Sequence, residues 1–370
     1  MKLDSQPILG IIASVLVVSA SLWISVSFSP DTMLTWISLI LVAMVPMQMV
    51  IGLAWGSQHP AAIAAMPTLT RGVVFSLLMA TVGALVAYIS YVTVGGGISP
   101  PTPFVNMFLI LAVPMTLMLI IPFQRWPFTA LLGDKPVATG LALLVAAYGL
   151  AWVFYQLLFD FSFLQHAPFY QAALDPHGKF TAWLPLTASL GAVVAILCLV
   201  LLDFWPLPLL AHALPACGRQ PLFGIAASVL IALIVAALWY VFIVNQGMDV
   251  VAFMVQVCVA MIFGIFIILV MFEGAPFVRL PQPWRGLVLI SAAALLAVVL
   301  HALYRAIAVS RFGLPGGAPG YALELWLATS LLAITFPLMV TFASFFNFWP
   351  LRKAIQSSKV DRKVGAGDTV

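Results

Sequence analysis

The sequence predicts an all-α polytopic membrane protein of about ten transmembrane helices, arranged as two parallel four-helix repeats plus an inserted helical hairpin. Three observations carry that prediction. Hydrophobic residues make up 64% of the chain and charged residues 7%, with a mean hydropathy of +1.16. A soluble domain carries about 25% charged residues, so most of this surface is not built for water. Apolar runs of about 20 residues recur along the chain, each long enough to cross a bilayer core of roughly 30 Å. Finally, the stretch Gln6–Leu16 returns as Gln220–Leu230, identical at eight of eleven positions at an offset of 214.

Taken in order, the first run covers 8–28. It follows Lys2 and has no small-residue cleavage site, so it reads as a span and not as a removable signal. The next runs are 33–55, 71–93, 104–123, 136–159 and 182–203, then 221–244, 249–272, 285–305 and 321–347. Each must be helical, because backbone groups in lipid have to bond within their own segment. Short alternating strands, the mark of a membrane barrel, are missing from these Leu-, Ala- and Val-rich runs.

Charge sets the expected orientation. With the N-terminus inside, the inner segments hold Lys2, Arg71, Arg125, Lys135, Arg219, Arg279, Arg285, Arg352, Lys353, Lys359, Arg362 and Lys363. The outer segments hold only Lys179, Arg305 and Arg311. That bias predicts both termini in the cytoplasm, in what reads as a bacterial inner membrane. The lysine-rich 353–370 tail is expected to lie near anionic headgroups. Cys198 and Cys258 fall in apolar runs and Cys217 in an inner loop, with no metal or disulfide spacing.

Connections differ in kind. Ser29–Thr32 and Asn245–Met248 are tight turns, whereas Gly95–Pro103 and Phe312–Gly320 resist helix formation. The longest, Asp160–Thr181, carries Phe161, Phe163, Phe169 and Tyr170 beside His166 and His177. Such a loop lies on the interface or caps a cavity.

The duplication extends past its opening. Pro67, Arg71 and Gly72 return as Pro281, Arg285 and Gly286. Pro114, Trp126 and Pro127 return as Pro337, Trp349 and Pro350 at an offset of 223, the second copy having a longer outer loop. This divides the chain into a first four-helix repeat, 1–130, a hairpin, 131–215, a second repeat, 216–352, and the tail. Six spans separate the two starts, so the copies enter the membrane in the same sense. The pair resembles, in topology alone, the cofactor-free membrane subunits of the polysulfide-reductase type, and no residue is transferred from them. Inner hairpin ends also echo one another. Gln124–Phe128, Asp203–Leu207 and Asn347–Leu351 each contain Trp-Pro, and Glu273–Phe277 is a weaker relative. Tryptophan and proline there serve as a membrane-exit mark or as a docking rim for a peripheral protein.

Candidate binding residues fall into two groups. Pro46, Pro114 and Pro337 interrupt apolar runs, and Pro185 sits early in its run. Interrupted helices at matching positions of two repeats, as Pro114 and Pro337 would be, point to a central substrate site. Otherwise they are packing kinks. The second group is polar: Glu324, then Asp249 with Gln256 seven residues on along the same helix face, and His301 with Arg305 four apart on one face. Ionisable groups in spans are costly and need partners, so Glu324 is expected to pair with Arg305 or His301, and Gln156 lies at similar depth. Asp203 and Glu273 are expected to reach water or meet Arg219, Arg279 or Arg285. For Glu324 with Arg305 or His301, the alternative is a purely structural interface pair.

No catalytic triad, zinc motif, phosphate loop or nucleic-acid face is present, and no pair of histidines within spans to hold haem. The expectation is therefore a transporter or permease without cofactor or metal. Its solute would be small and neutral or weakly charged, with protons coupled through Glu324 or Asp249. The competing expectation is a cofactor-free membrane subunit that anchors a peripheral or redox partner.

Overall fold

A computed structural model describes residues 6–352. Lys2 and the predicted tail lie outside the described residues. Ten helices are long and apolar enough to cross a membrane. They are α1 (Ile8–Ser27), α2 (Pro30–Ala54), α3 (Thr68–Thr93), α4 (Pro103–Ile120), α5 (Pro136–Leu158), α6 (Trp183–Leu201), α7 (Leu222–Asn245), α8 (Val250–Met271), α9 (Trp284–Phe312) and α10 (Ala322–Phe345). They match the ten predicted runs, and the described residues are mostly helical with almost no strand, as expected for a polytopic membrane protein.

The helices sort by number. In the most apolar stretch of each even-numbered helix, 61–72% of residues are buried, against 11–33% in the odd-numbered ones. The even helices contact one another in a closed ring, α2–α4–α6–α8–α10 and back to α2. The odd helices lie outside. Helix α3 packs on α2 and α10, α5 on α4 and α2, α9 on α8 and α6, and α1 on α10 and α8. Helix α7 packs on α6, and its start reaches the end of α4 through a hydrogen bond from Gln220 Nε2 to the Pro122 carbonyl. Each outer helix thus covers the groove between two inner ones. Its other face is rich in exposed Leu, Val and Ile, as suits contact with lipid.

One recurring junction builds this order. Every inner helix ends in two consecutive left-handed residues: Gly56-Ser57, Gln124-Arg125, Asp203-Phe204, Glu273-Gly274 and Asn347-Phe348. At each end the N–H that follows the pair bonds back three residues, as Trp126 N–H does to the Phe123 carbonyl. Non-glycine residues rarely adopt this backbone. Here it lets carbonyls left over at the helix end find donors before the chain turns.

The start of an outer helix then seats on that end. Gln6 Nε2 donates to the Met271 carbonyl at 3.0 Å, Gln220 Nε2 to Pro122 and Gln282 Nε2 to Leu201. Gln6 and Gln282 also accept from their own Gly10 and Gly286 N–H groups, so one amide serves two helix ends. The glycine four residues on permits the approach. Gly10 lies against the Phe272 ring, Gly224 against Phe123 and Gly72 against Phe346, while Gly286 meets Leu202. At the fifth junction, Gly140 of α5 faces Trp55, whose Nε1 donates to the Pro136 carbonyl at 2.8 Å. We call this side of the protein the turn face.

The opposite side is the loop face. There Phe159–Asp160 pairs in parallel with Phe180–Thr181, Phe159 opposite Phe180, and closes the base of the longest loop. Asp175 is the hub of that loop. Its carboxylate accepts from the Phe161 and His177 N–H groups and from Tyr170 Oη. Phe161 is fully buried and packs on Phe104 at the start of α4. A chain of rings continues through Phe163 and Trp183 to Tyr321 at the start of α10. The aromatic loop therefore joins the loop-face ends of α4, α6 and α10.

Close helix crossings make a direct test. A side chain at Gly264 of α8 would strike the Ala293 backbone of α9, whereas Gly149 of α5 faces open space. Gly264→Val is expected to cost about 1–3 kcal/mol, as overpacking does, and to lower the melting temperature in detergent. Gly149→Val is expected to leave it unchanged.

Candidate functional site

The five inner helices meet around a central axis, and each presents an apolar stripe to it. Val42, Val45 and Met49 come from α2, and Ile110, Val113 and Leu117 from α4 with the same spacing. Leu190 and Val193 come from α6, Ile262 and Phe266 from α8, Leu332 and Phe336 from α10. Intervals of three and four residues put each set on one helix face. Together they enclose a cavity of about 30 Å³. An apolar cavity of this kind stays dry.

The stripes are in register. Val45, Val113, Ile262 and Phe336 each lie eleven positions before the first left-handed residue of their helix end. Val193 lies ten before, because α6 closes its last turn over five residues, Phe204 N–H to the Leu199 carbonyl. The other four ends close over six residues, as Arg125 N–H does to Leu119. Met49, Leu117 and Phe266 form a second layer seven positions before the end. The Phe266 and Phe336 rings pack with centroids 4.6 Å apart.

The predicted prolines belong here. Pro46, Pro114 and Pro337 are buried, all ten positions before their helix ends. Pro46 is followed by a wide turn at Val50–Ala54, and Pro337 lies between wide turns at Ser330–Thr335 and Thr341–Phe345. Such turns commonly mark functional sites. Fully buried Gln48 bridges α2 to α10 through Nε2, 2.8 Å from the Pro337 carbonyl and 2.9 Å from Thr341 Oγ1.

The predicted polar set divides elsewhere. Glu324 is buried at the start of α10 and accepts from the Gly317 N–H with both oxygens. Among the described residues no ion pair joins it to Arg305 or His301. The expected pair is absent because the loop backbone satisfies the carboxylate. Asp249 caps α8, accepting from the Val251 and Ala252 N–H groups, and also accepts from Tyr321 Oη. Gln256 does not share its surroundings, since a wide turn at Met254–Val259 shifts the helical phase. Gln256, His301 and Arg305 do come together, in a groove of about 570 Å³ along α9 with Val298, Ala302, Ala306 and Val309. Gln156 is exposed on α5, which does not pack on α9.

On the turn face the arginines finish the ends of neighbouring helices. Arg125 Nη1 donates to the Ala54 carbonyl and Arg285 Nη2 to the Gly274 carbonyl. A cation at the start of α9 thus serves the carbonyl end of α8, where the helix dipole favours it. The turn-face acids Asp203 and Glu273 are exposed, as expected of acids that reach water, but their protein partners are not the arginines expected from sequence. Asp203 accepts from Gln282 Nε2, and Glu273 pairs with Arg352 at 2.6 Å. Nearness in fold outweighs nearness in sequence at these ends, because the ring brings α10 and α1 to the end of α8.

No protein-family model, no curated protein and no solved structure matches the chain.

The Glu273 clamp gives a pH signature. Hydrogen bonds from Arg352, with a further one from Gln6 Nε2, hold its carboxyl below the ordinary 4.5. A depressed carboxyl contributes stability above its unfolded value and loses it as pH falls through the folded value. The melting temperature is expected to fall on acidification below 4.5. Arg352→Gln is expected to lower stability at neutral pH and flatten that acidic slope, checked by thermal melts across pH.

Proposed function

We propose that the protein is a permease that passes a small neutral solute along the axis of its inner ring. The observation that carries this reading is the register of the five apolar stripes, one from each inner helix, around a shared cavity. A dry apolar constriction passes small neutral molecules when it widens and holds back ions, which would have to shed their water. Prolines beside the axial layer in three of the five helices support a place where that widening occurs. No ionisable side chain lines the cavity. Proton coupling through Glu324 or Asp249 gains no support from their positions at helix starts, so uncoupled passage is the reading favoured.

We further propose that the two four-helix repeats, 1–130 and 216–352, and the hairpin 131–215 are parts of one series of five like hairpins. The recurring junctions support it, including a third Gln-Pro start at Gln282-Pro283. With the turn face in the cytoplasm, as the positive charges favour, the aromatic loop covers the external end of the axis. A bacterial inner membrane suits that arrangement. Exposed Trp205 and Trp349 would then anchor at the inner headgroups.

Solute entry into vesicles tests the pathway. The wild-type protein, reconstituted and challenged with glycerol or urea gradients, is expected to speed swelling over empty vesicles. Phe266→Ala with Phe336→Ala, which widens the axial layers, is expected to raise that rate severalfold, and Val113→Phe to lower it. Rates that match empty vesicles for the wild type and all variants would contradict the proposal.

A further inference from the structure

The groove between α8 and α9 is separate from the axis and carries chemistry that the permease reading does not use. Its lining on α9 runs Val298, His301, Ala302, Arg305 and Ala306, a single face of one helix at three- and four-residue intervals. Gln256 faces it from α8. Arg305 is exposed and, among the described residues, has no ion-pair or hydrogen-bond partner. His301 Nδ1 is buried without a partner. A permanent cation and an unsatisfied ring nitrogen beside lipid are costly unless something anionic or hydrogen-bonding meets them.

Depth identifies what meets them. Trp284 begins α9 on the turn face and is exposed, a placement suited to the headgroup level. Arg305 lies 21 residues farther along the helix, or about 31 Å at 1.5 Å per residue. That distance matches a hydrocarbon core of roughly 30 Å, so the guanidinium reaches the phosphate level of the other leaflet. His301 sits one turn deeper, where lipid ester groups lie, and Val298 deeper still, beside the chains. The volume of about 570 Å³ lies within the roughly 300–1,000 Å³ of small-molecule sites. Ala302 and Ala306 keep its floor low enough for a glycerol backbone to approach.

We propose that this groove binds one anionic phospholipid of the loop-face leaflet. Its phosphate is held by Arg305, and its ester oxygens take hydrogen bonds from Gln256 and His301. Charge complementarity favours an anionic lipid over a zwitterionic one, since Arg305 brings a charge without a protein counter-ion. The open, lipid-facing side of the groove favours a membrane lipid over free phosphate.

Native mass spectrometry of the full-length protein tests this, after equilibration with phosphatidylglycerol, phosphatidylcholine or inorganic phosphate. The wild type is expected to retain one phosphatidylglycerol. Arg305→Gln is expected to lower its occupancy about tenfold, in keeping with the loss of a charge-assisted hydrogen bond. Ala302→Leu, which fills the floor and keeps the charge, is expected to lower it as well. Arg311→Gln, on the same helix outside the groove, is expected to leave it unchanged. Equal retention by wild type and Arg305→Gln would overturn the proposal. So would equal retention of the two lipids, or displacement of the lipid by inorganic phosphate.

Discussion

A helix end in a membrane leaves carbonyls that lipid cannot satisfy and that its own closing turn satisfies only in part, and this architecture is organised around meeting that need on one face. Gln6, Gln220 and Gln282 each send an amide N–H to a carbonyl at the end of a neighbouring inner helix. Arg125 and Arg285 do the same by charge. Because these five donors come from other parts of the chain, satisfying the helix ends they reach and assembling the ring go together. A glycine four residues after each of these glutamines lets the two helices close to contact. The order of the ring, with each outer helix seated on two inner ones, follows from which donor meets which end.

This division of labour accounts for where polarity resides. Polar bonding concentrates at the turn face, at the buried Gln48 bridge and around the Asp175 hub. The axial cavity between them is apolar. A ring whose ends are fixed and whose middle layers are held by dispersion contacts has its freedom near the prolines and wide turns. That is where the axial layers lie, so the parts best placed to move are those that would gate a solute. The polar groove on α9 sits outside the ring, so the lipid site proposed there would be separate from the proposed passage.

Much of the fold is legible in the sequence, because length, hydropathy and the necessity of helix in lipid fix ten spans. The echo of Gln6–Leu16 at Gln220–Leu230 points to recurring helix starts. It does not reveal how many there are. Gln282-Pro283 with Gly286 carries the same signal, but it is isolated by divergence of the residues that follow. The junction at Trp55-Gly56-Ser57 lacks the adjacent Trp-Pro that marks three of its counterparts, so sequence alone hides it. Inner and outer helices are equally apolar, and their sorting by burial is not readable from composition. Glu324 and Arg305 look like partners by depth. Their separation depends on loop N–H groups whose positions only the fold sets. Pro114 and Pro337 do flank the axis, and Pro46 shares their level. The axial stripes themselves are ordinary Val, Ile, Leu and Phe, invisible against a background of the same residues.

Closure of the inner ring between its first and last members, α2 and α10, is the most direct measure of the whole arrangement. In a variant with Cys198, Cys217 and Cys258 replaced by alanine, Gln48→Cys and Thr341→Cys place two thiols where side chains now meet at 2.9 Å. Oxidation in native membranes is expected to cross-link them within one chain, at a yield far above that of the same Thr341→Cys paired with a cysteine at Gln156 of α5. A yield at Gln48 no higher than at Gln156 would mean that α2 and α10 do not adjoin, and the five-helix ring would be wrong.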